Sequence, residues 1–195
     1  MPQRQSRCCT VTLLQMMTGY WVSQSVYVAA KLGIADLLAG GPKTSEEVAR
    51  ATGAHARSLY RLLRGLASVG VFTDVGEGRF AVIPLAALLR TDAPSSMRAL
   101  AIMYCEEQYR AWGDLLHSVQ TGAPAFEHAY GMPIFDYFAQ APQSSAIFND
   151  AMTGWSTQVA TAVVAGYDFS GIDRIVDVGG GHGTIIAAIL QAHPR

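Results

Sequence analysis

Near the carboxyl end of the chain, Asp177-Val178-Gly179-Gly180-Gly181-His182-Gly183 follows the segment Arg174-Ile175-Val176-Asp177-Val178 and precedes an apolar run from Thr184 to Leu190. The β-branched residues of the first segment stand side by side instead of alternating, the pattern of a parallel strand covered on both faces. The apolar run predicts a helix. Strands of this kind end in ligand crevices. Glycines at 179, 181 and 183 allow a tight turn and leave no Cβ between the main chain and a ligand. The stretch therefore reads as a nucleotide-cofactor turn, and the domain that contains it as α/β.

The turn fails the dinucleotide fingerprint Gly-x-Gly-x-x-Gly, because Thr184 stands where the third glycine belongs. No lysine follows, which excludes a P-loop. What remains, Asp-x-Gly-x-Gly-x-Gly, resembles the first motif of class I methyltransferases that bind S-adenosylmethionine. That ligand has no pyrophosphate, so the loop has to accept an amino-acid end and a ribose. Asp177 at the strand tip suits a cationic amine or sulfonium. The same carboxylate is also placed to satisfy free backbone donors at the helix N-terminus.

Half of the 195 residues are hydrophobic and 15% are charged, enough for a sizeable core and more than one structural unit. A formal net charge of −1 supplies no general pull toward nucleic acid or anionic lipid. Cys8, Cys9 and Cys105 form neither a disulfide framework nor a zinc-ligand spacing, and reduced cytoplasmic thiols are expected. No charge occurs between Arg7 and Lys31. Thr10, Thr12, Gln15, Thr18, Ser23, Gln24 and Ser25 nevertheless interrupt that apolar stretch, so neither export nor membrane insertion is expected.

Val11 to Ala30 predicts one helix with apolar residues on more than one face, which either a second subunit or its own domain has to cover. A short helix over Lys31 to Leu38 closes at Gly40-Gly41-Pro42. Thr44 and Glu47 have the spacing of a capping box, and Thr52-Gly53 ends the helix they open. Ala56 to Val69 predicts a helix with Leu59, Leu62, Leu63, Leu66 and Val69 on one face. Val71–Thr73 and Phe80–Ile83 read as strands around the turn Gly76-Glu77-Gly78. Helix, turn, helix, hairpin is the order of a winged helix. Arg57, Arg61 and Arg64 make a basic stripe on its second helix, which keeps a DNA-binding regulator as the alternative. Against that alternative, the wing carries Asp74 and Glu77 beside its single Arg79.

From Pro94 the pattern is helical, with Leu100, Met103 and Tyr104 in one segment and Tyr109, Trp112, Leu115, Leu116 and Val119 in the next. Thr121 to Pro124 breaks the run. An aromatic patch follows at Phe126, Tyr130, Phe135, Tyr137 and Phe138. Ser144 to Val164 predicts a long helix that puts Phe148, Met152 and Trp155 on one face. The expected domains are residues 1–93, 94–165 and 166–195.

Thr121-Gly122-Ala123-Pro124-Ala125-Phe126, Ala129 to Phe138, and Phe148-Asn149-Asp150-Ala151-Met152, in that order ahead of Asp177 to Gly183, resemble the small-molecule O-methyltransferases that use S-adenosylmethionine. These include plant phenylpropanoid and hydroxyindole enzymes and bacterial tailoring enzymes of secondary metabolism. The resemblance implies a mainly α chain: a winged-helix dimerisation domain followed by the truncated start of an α/β Rossmann-like methyltransferase domain. It implies a homodimer through the amino-terminal helices, with no nucleic-acid or membrane partner and no metal. Cofactor contacts are implied at Asp177, Gly179, Gly180, Gly181, Trp155 and Phe138. Phe148, Asn149 and Met152 are implied as one wall of the acceptor pocket, with Met103 and Tyr104 as weaker candidates from the neighbouring helix. The parent is then expected to methylate a hydroxyl on an aromatic or polyketide-like molecule, with hydroxylation or decarboxylation as variant chemistry.

The family's catalytic base is a histidine expected beyond Arg195, and none of His55, His117, His128, His182 or His193 is expected to replace it. The chain therefore reads as an amino-terminal fragment with an incomplete cofactor site, ahead of any second strand that presents an acidic residue to a ribose. One strand and one helix cannot bury Ile175, Val176, Ile185, Ile186, Ile189 and Leu190, so residues 166–195 are expected to be poorly ordered in isolation.

Overall fold

A computed structural model describes residues 9–194, so Arg7, Cys8 and Arg195 lie outside the described residues. The chain divides into two compact units, Met1–Ala86 and Ala87–Arg195. The first begins with α1 (Cys9–Met17) and α2 (Gly19–Lys31), which replace the single helix expected over Val11 to Ala30. The break is at Thr18. Its hydroxyl donates to the Leu14 carbonyl at 2.8 Å, the same acceptor its backbone N–H uses, and glycine, a poor helix former, follows. Leu13, Leu14, Met16, Met17, Tyr20 and Trp21 are all exposed, and α1 buries nothing.

Gly33, in the left-handed region at φ 64°, separates α2 from the short α3 (Ile34–Leu37). β1 (Lys43–Thr44) leads into α4 (Ser45–Thr52), whose capping box forms as the spacing predicts. The Glu47 N–H donates to Thr44 Oγ1 at 3.2 Å, and the Thr44 N–H donates to Glu47 Oε2 at 2.7 Å. That second bond holds the Glu47 carboxyl below its ordinary range. α5 (Ala56–Ser68) buries Leu59, Leu63 and Leu66, each contributing roughly 1.5–3 kcal/mol. Val69, expected on that face, lies past the last turn and is exposed.

β2 (Phe72–Gly76) and β3 (Arg79–Val82) form the wing, with β3 central in the antiparallel order β1-β3-β2. Glu77 (φ 54°) and Gly78 (φ 69°) are the two turn residues, the paired positive values that suit a two-residue hairpin. The winged helix read from the sequence is thus present, and α6 (Pro84–Ala87) follows it.

The second unit is helical: α7 (Arg98–Cys105), α8 (Glu107–Gly113), α9 (Leu115–Thr121), α10 (Ala125–Tyr130), α11 (Ile134–Gln140), α12 (Pro142–Gly166) and α13 (Thr184–Ala192). α12 is its axis, packed along α7 and α13. Where α12 passes the chain before α7, a Cβ on Gly154 would stand 3.1 Å from the Ser96 carbonyl oxygen, an approach that a side chain would crowd. Leu100, Met103 and Ala151 form the core between α7 and α12, with Ile147, Phe148 and Met152 packed against it. Glu107 joins four helices: Ser144 Oγ donates to its carboxylate at 2.5 Å, Tyr137 OH at 3.4 Å, and Tyr130 OH donates to its carbonyl at 3.3 Å.

Arg174 to Val178 is not a strand. A strand is defined by its ladder, and the three strands among the described residues all belong to the wing sheet. Val176 and Val178 are accordingly 76% and 92% exposed. Their amides are expected to exchange with solvent nearly as fast as an unfolded peptide, read by hydrogen–deuterium exchange of the 195-residue chain. Strong protection there would mean that the segment finds a pairing partner.

Candidate functional site

The glycine turn and α12 enclose a cavity of about 390 Å³. Gly179, Gly180, Gly181, His182 and Thr184 line one side; Phe148, Asn149, Met152, Thr153 and Ser156 line the other, with Phe135 at the edge. Two larger hollows of about 770 and 800 Å³ flank residues 169–175. Both are lined by Phe169, Ile172, Arg174 and Ile175, and of the three the smallest cavity alone brings polar groups from the turn and α12 together.

The turn is made by alternate left-handed residues, with φ of 76° at Gly179, 54° at Gly181 and 72° at Gly183. Gly180 is required for a different reason. A Cβ there would lie 2.4 Å from Asp177 Oδ2 and 2.5 Å from its Cγ, so the carboxylate occupies the space a side chain would take. α13 has Gly183 at its N-cap and no side-chain cap, and Asp177 makes no hydrogen bond or ion pair among the described residues. Of the two roles open to it in the sequence, capping is not realised, and the carboxylate is exposed beside Gly180, outside the cavity lining.

On α12, Asn149, Met152, Thr153 and Ser156 follow the i, i+3, i+4, i+7 spacing of one helical face. This face is turned by about 80° from the Phe148, Met152, Trp155 stripe expected from the sequence, taking 100° per residue. Trp155 consequently lies outside the cavity lining and is 49% exposed. Phe138 lies outside it too, buried behind the wall, its ring 4.8 Å from that of Phe148. Phe135 meets Phe148 edge-to-face at 6.2 Å and completes the cluster. Met103 is buried in the core beneath Phe148 and Met152, whereas Tyr104 is exposed. Phe135, Thr153, Ser156, His182 and Thr184 were missed in the sequence. The polar row at 149, 153 and 156 was the available signal for three positions on this face.

The other histidines are engaged elsewhere. His55 caps α5 through Ser58, and His128 pairs with Asp114 and stacks on His117 at 3.8 Å. His193 tilts against Phe169. Among the described residues, no group of three His, Cys, Asp or Glu side chains forms a metal-ligand set, and no helix is long and apolar enough to cross a membrane. Arg57, Arg61 and Arg64 are exposed on α5, with Arg64 over the Tyr60 ring, while the wing's Arg79 donates to the Pro42 carbonyl.

The first unit thus carries a winged helix, and the second a glycine loop that faces a mixed polar and aromatic wall. The O-methyltransferase dimerisation domain matches residues 14–92 and the O-methyltransferase domain matches residues 112–195; the chain belongs to the O-methyltransferase family. It is 56% identical over 183 residues to the phenazine O-methyltransferase PhzM of Lysobacter antibioticus, covering 94% of this chain and 54% of that protein. The crystal structure of LaPhzM superposes with a TM-score of 0.91 at 54% identity, over 96% of this chain and 57% of that one. The neocarzinostatin-biosynthesis O-methyltransferase NcsB1, solved with S-adenosylmethionine and 2-hydroxy-5-methyl naphthoic acid, superposes with a TM-score of 0.72 at 37% identity, over 88% of this chain and 53% of that one. The chain spans about half the length of the curated relatives it matches.

Proposed function

We propose that the protein is an S-adenosylmethionine-dependent O-methyltransferase acting on a hydroxyl of an aromatic or polyketide-like small molecule, and that it works as a cytoplasmic homodimer. The observation that carries this reading is the single cavity shared by the bare glycine loop and the Asn149–Met152 face of α12. The residues present fit the cofactor: the left-handed glycines leave main chain open to a ligand, and an exposed carboxylate stands beside them. When bound, S-adenosylmethionine supplies an electrophilic methyl group on a sulfonium.

In this reading Gly179, Gly180 and Gly181 hold the donor against the backbone, and Asp177 attracts its cationic amine. Phe148 and Met152 press on the flat acceptor, while Asn149 orients its polar edge. Apolar walls exclude water, which keeps the reacting groups aligned and protects the donor from hydrolysis. Phe138 and Met103 act through Phe148 and Met152, which they support from behind; Trp155 and Tyr104 are given no contact. The functional division proposed is dimerisation in residues 1–93, acceptor wall in 94–165 and cofactor loop from 166. The exposed apolar residues of α1 and α2 and the matched dimerisation domain support the homodimer.

The protein carrying a methyltransferase domain of its relatives' length is expected to bind S-adenosylhomocysteine in calorimetry and to add one methyl group to a phenolic acceptor by mass spectrometry. The 195-residue chain by itself is expected to bind weakly or not at all. Gain of an oxygen would replace methyl transfer by the hydroxylating variant. No affinity for the donor or its product in the longer protein would end the reading.

A further inference from the structure

His182 is the sole residue between Gly179 and Gly183 with a side chain, so beyond the main-chain bond from the Gly183 N–H to the Gly180 carbonyl no other side chain in the loop can tether it. Its Nδ1 lies 3.0 Å from Thr153 Oγ1 on α12. That partner is not a default. Thr157 and Thr161, the next two threonines at four-residue spacing, turn their hydroxyls back onto helix carbonyls at 2.9 and 3.3 Å, the usual intrahelical outlet. Thr153 instead reaches across to the loop. It stands one residue from Met152 and one turn from Asn149, and both His182 and Thr153 line the cavity.

We infer that the His182–Thr153 pair is a positioning device. It registers the glycine loop against α12, so that a group held by the loop keeps a fixed place relative to the wall formed by Asn149 and Met152. This rests on the donor and acceptor assignment above, and its action is through other residues, since neither side chain needs to touch the reacting atoms. Glycines with no Cβ give the loop many accessible conformations. A hydrogen bond from its one side chain restricts that freedom before a ligand arrives, which lowers the ordering cost of binding.

The test uses Thr153→Val, close to isosteric and without the hydroxyl, and Thr153→Ser, which restores it. In the 195-residue chain, the ring nitrogens of His182 are expected to report one fixed tautomer in ¹⁵N spectra. In Thr153→Val they should move to the exchange-averaged shifts of an exposed histidine, and in Thr153→Ser they should return. In the longer protein, Thr153→Val should weaken S-adenosylhomocysteine about three- to tenfold, the loss expected for one hydrogen bond, with recovery in Thr153→Ser. His182 shifts indifferent to Thr153→Val, or equal affinity in a protein whose parent form binds, would overturn the inference and leave the proposed function intact. No binding by the parent form would overturn both.

Discussion

Gly180→Ala is expected to lower the affinity of the longer protein for S-adenosylhomocysteine about ten- to hundredfold, the loss that follows from one displaced charge-assisted hydrogen bond. The new Cβ would meet Asp177 at 2.4–2.9 Å from all three atoms of its carboxyl, so that group has to swing away. Folding is expected to tolerate the move, because Gly180 has no left-handed φ and the Asp177 side chain is exposed and free of other bonds among the described residues. The free energy of unfolding from urea denaturation should therefore stay within about 0.5 kcal/mol of the parent, as for substitutions away from the core. Gly181→Val is the contrasting case. Its φ of 54° strains a β-branched residue, so that variant should lose donor binding altogether and disturb the loop as well. Undiminished binding by Gly180→Ala would show that the Asp177 carboxylate does not contact the donor.

Local rules made most of the first unit legible. Thr44 and Glu47, Gly53, the α5 leucines and the Gly76–Gly78 turn each state their structure within a few residues, and each forms as the sequence predicts. The failures are of two physical kinds. At Thr18 the apolar pattern runs on across the break, and the position is marked by Gly19, a poor helix former, which apolar spacing does not register. At Arg174 to Val178 the residues are right for a strand, but a strand is a relation between segments, and nothing in five residues supplies the neighbour. In the site, Gly179 to Gly181 and the Phe148–Met152 region were named from the sequence and do line one cavity. The resemblance and the 148, 152, 155 spacing put Trp155 on the cavity face; the lining instead runs through the small polar residues Thr153 and Ser156, whose role depends on what lies opposite.

Phe80→Ala is expected to destabilise the first unit by roughly 3–5 kcal/mol, the usual cost of deleting a buried aromatic ring. Phe80 is 0% exposed and sits on the central strand, opposite Lys43 of β1 and Asp74 of β2. Its ring meets Tyr60 of α5 edge-to-face, 5.9 Å between centroids at 63°, so one side chain joins the wing sheet to the second helix of the winged helix. Such a pair adds about 0.5–1.5 kcal/mol beyond area burial. Phe72, Leu63 and Leu66 of the same unit are also fully buried, and a close-packed core relaxes only partly into the space left by a ring. Val75→Ala on the exposed side of the wing is the control, expected to change stability by less than about 0.5 kcal/mol. Urea denaturation followed by circular dichroism distinguishes them, with the low-denaturant transition assigned to the first unit by amide exchange at Leu63. A loss below about 1 kcal/mol for Phe80→Ala would mean that the sheet and α5 are held together by contacts other than this ring.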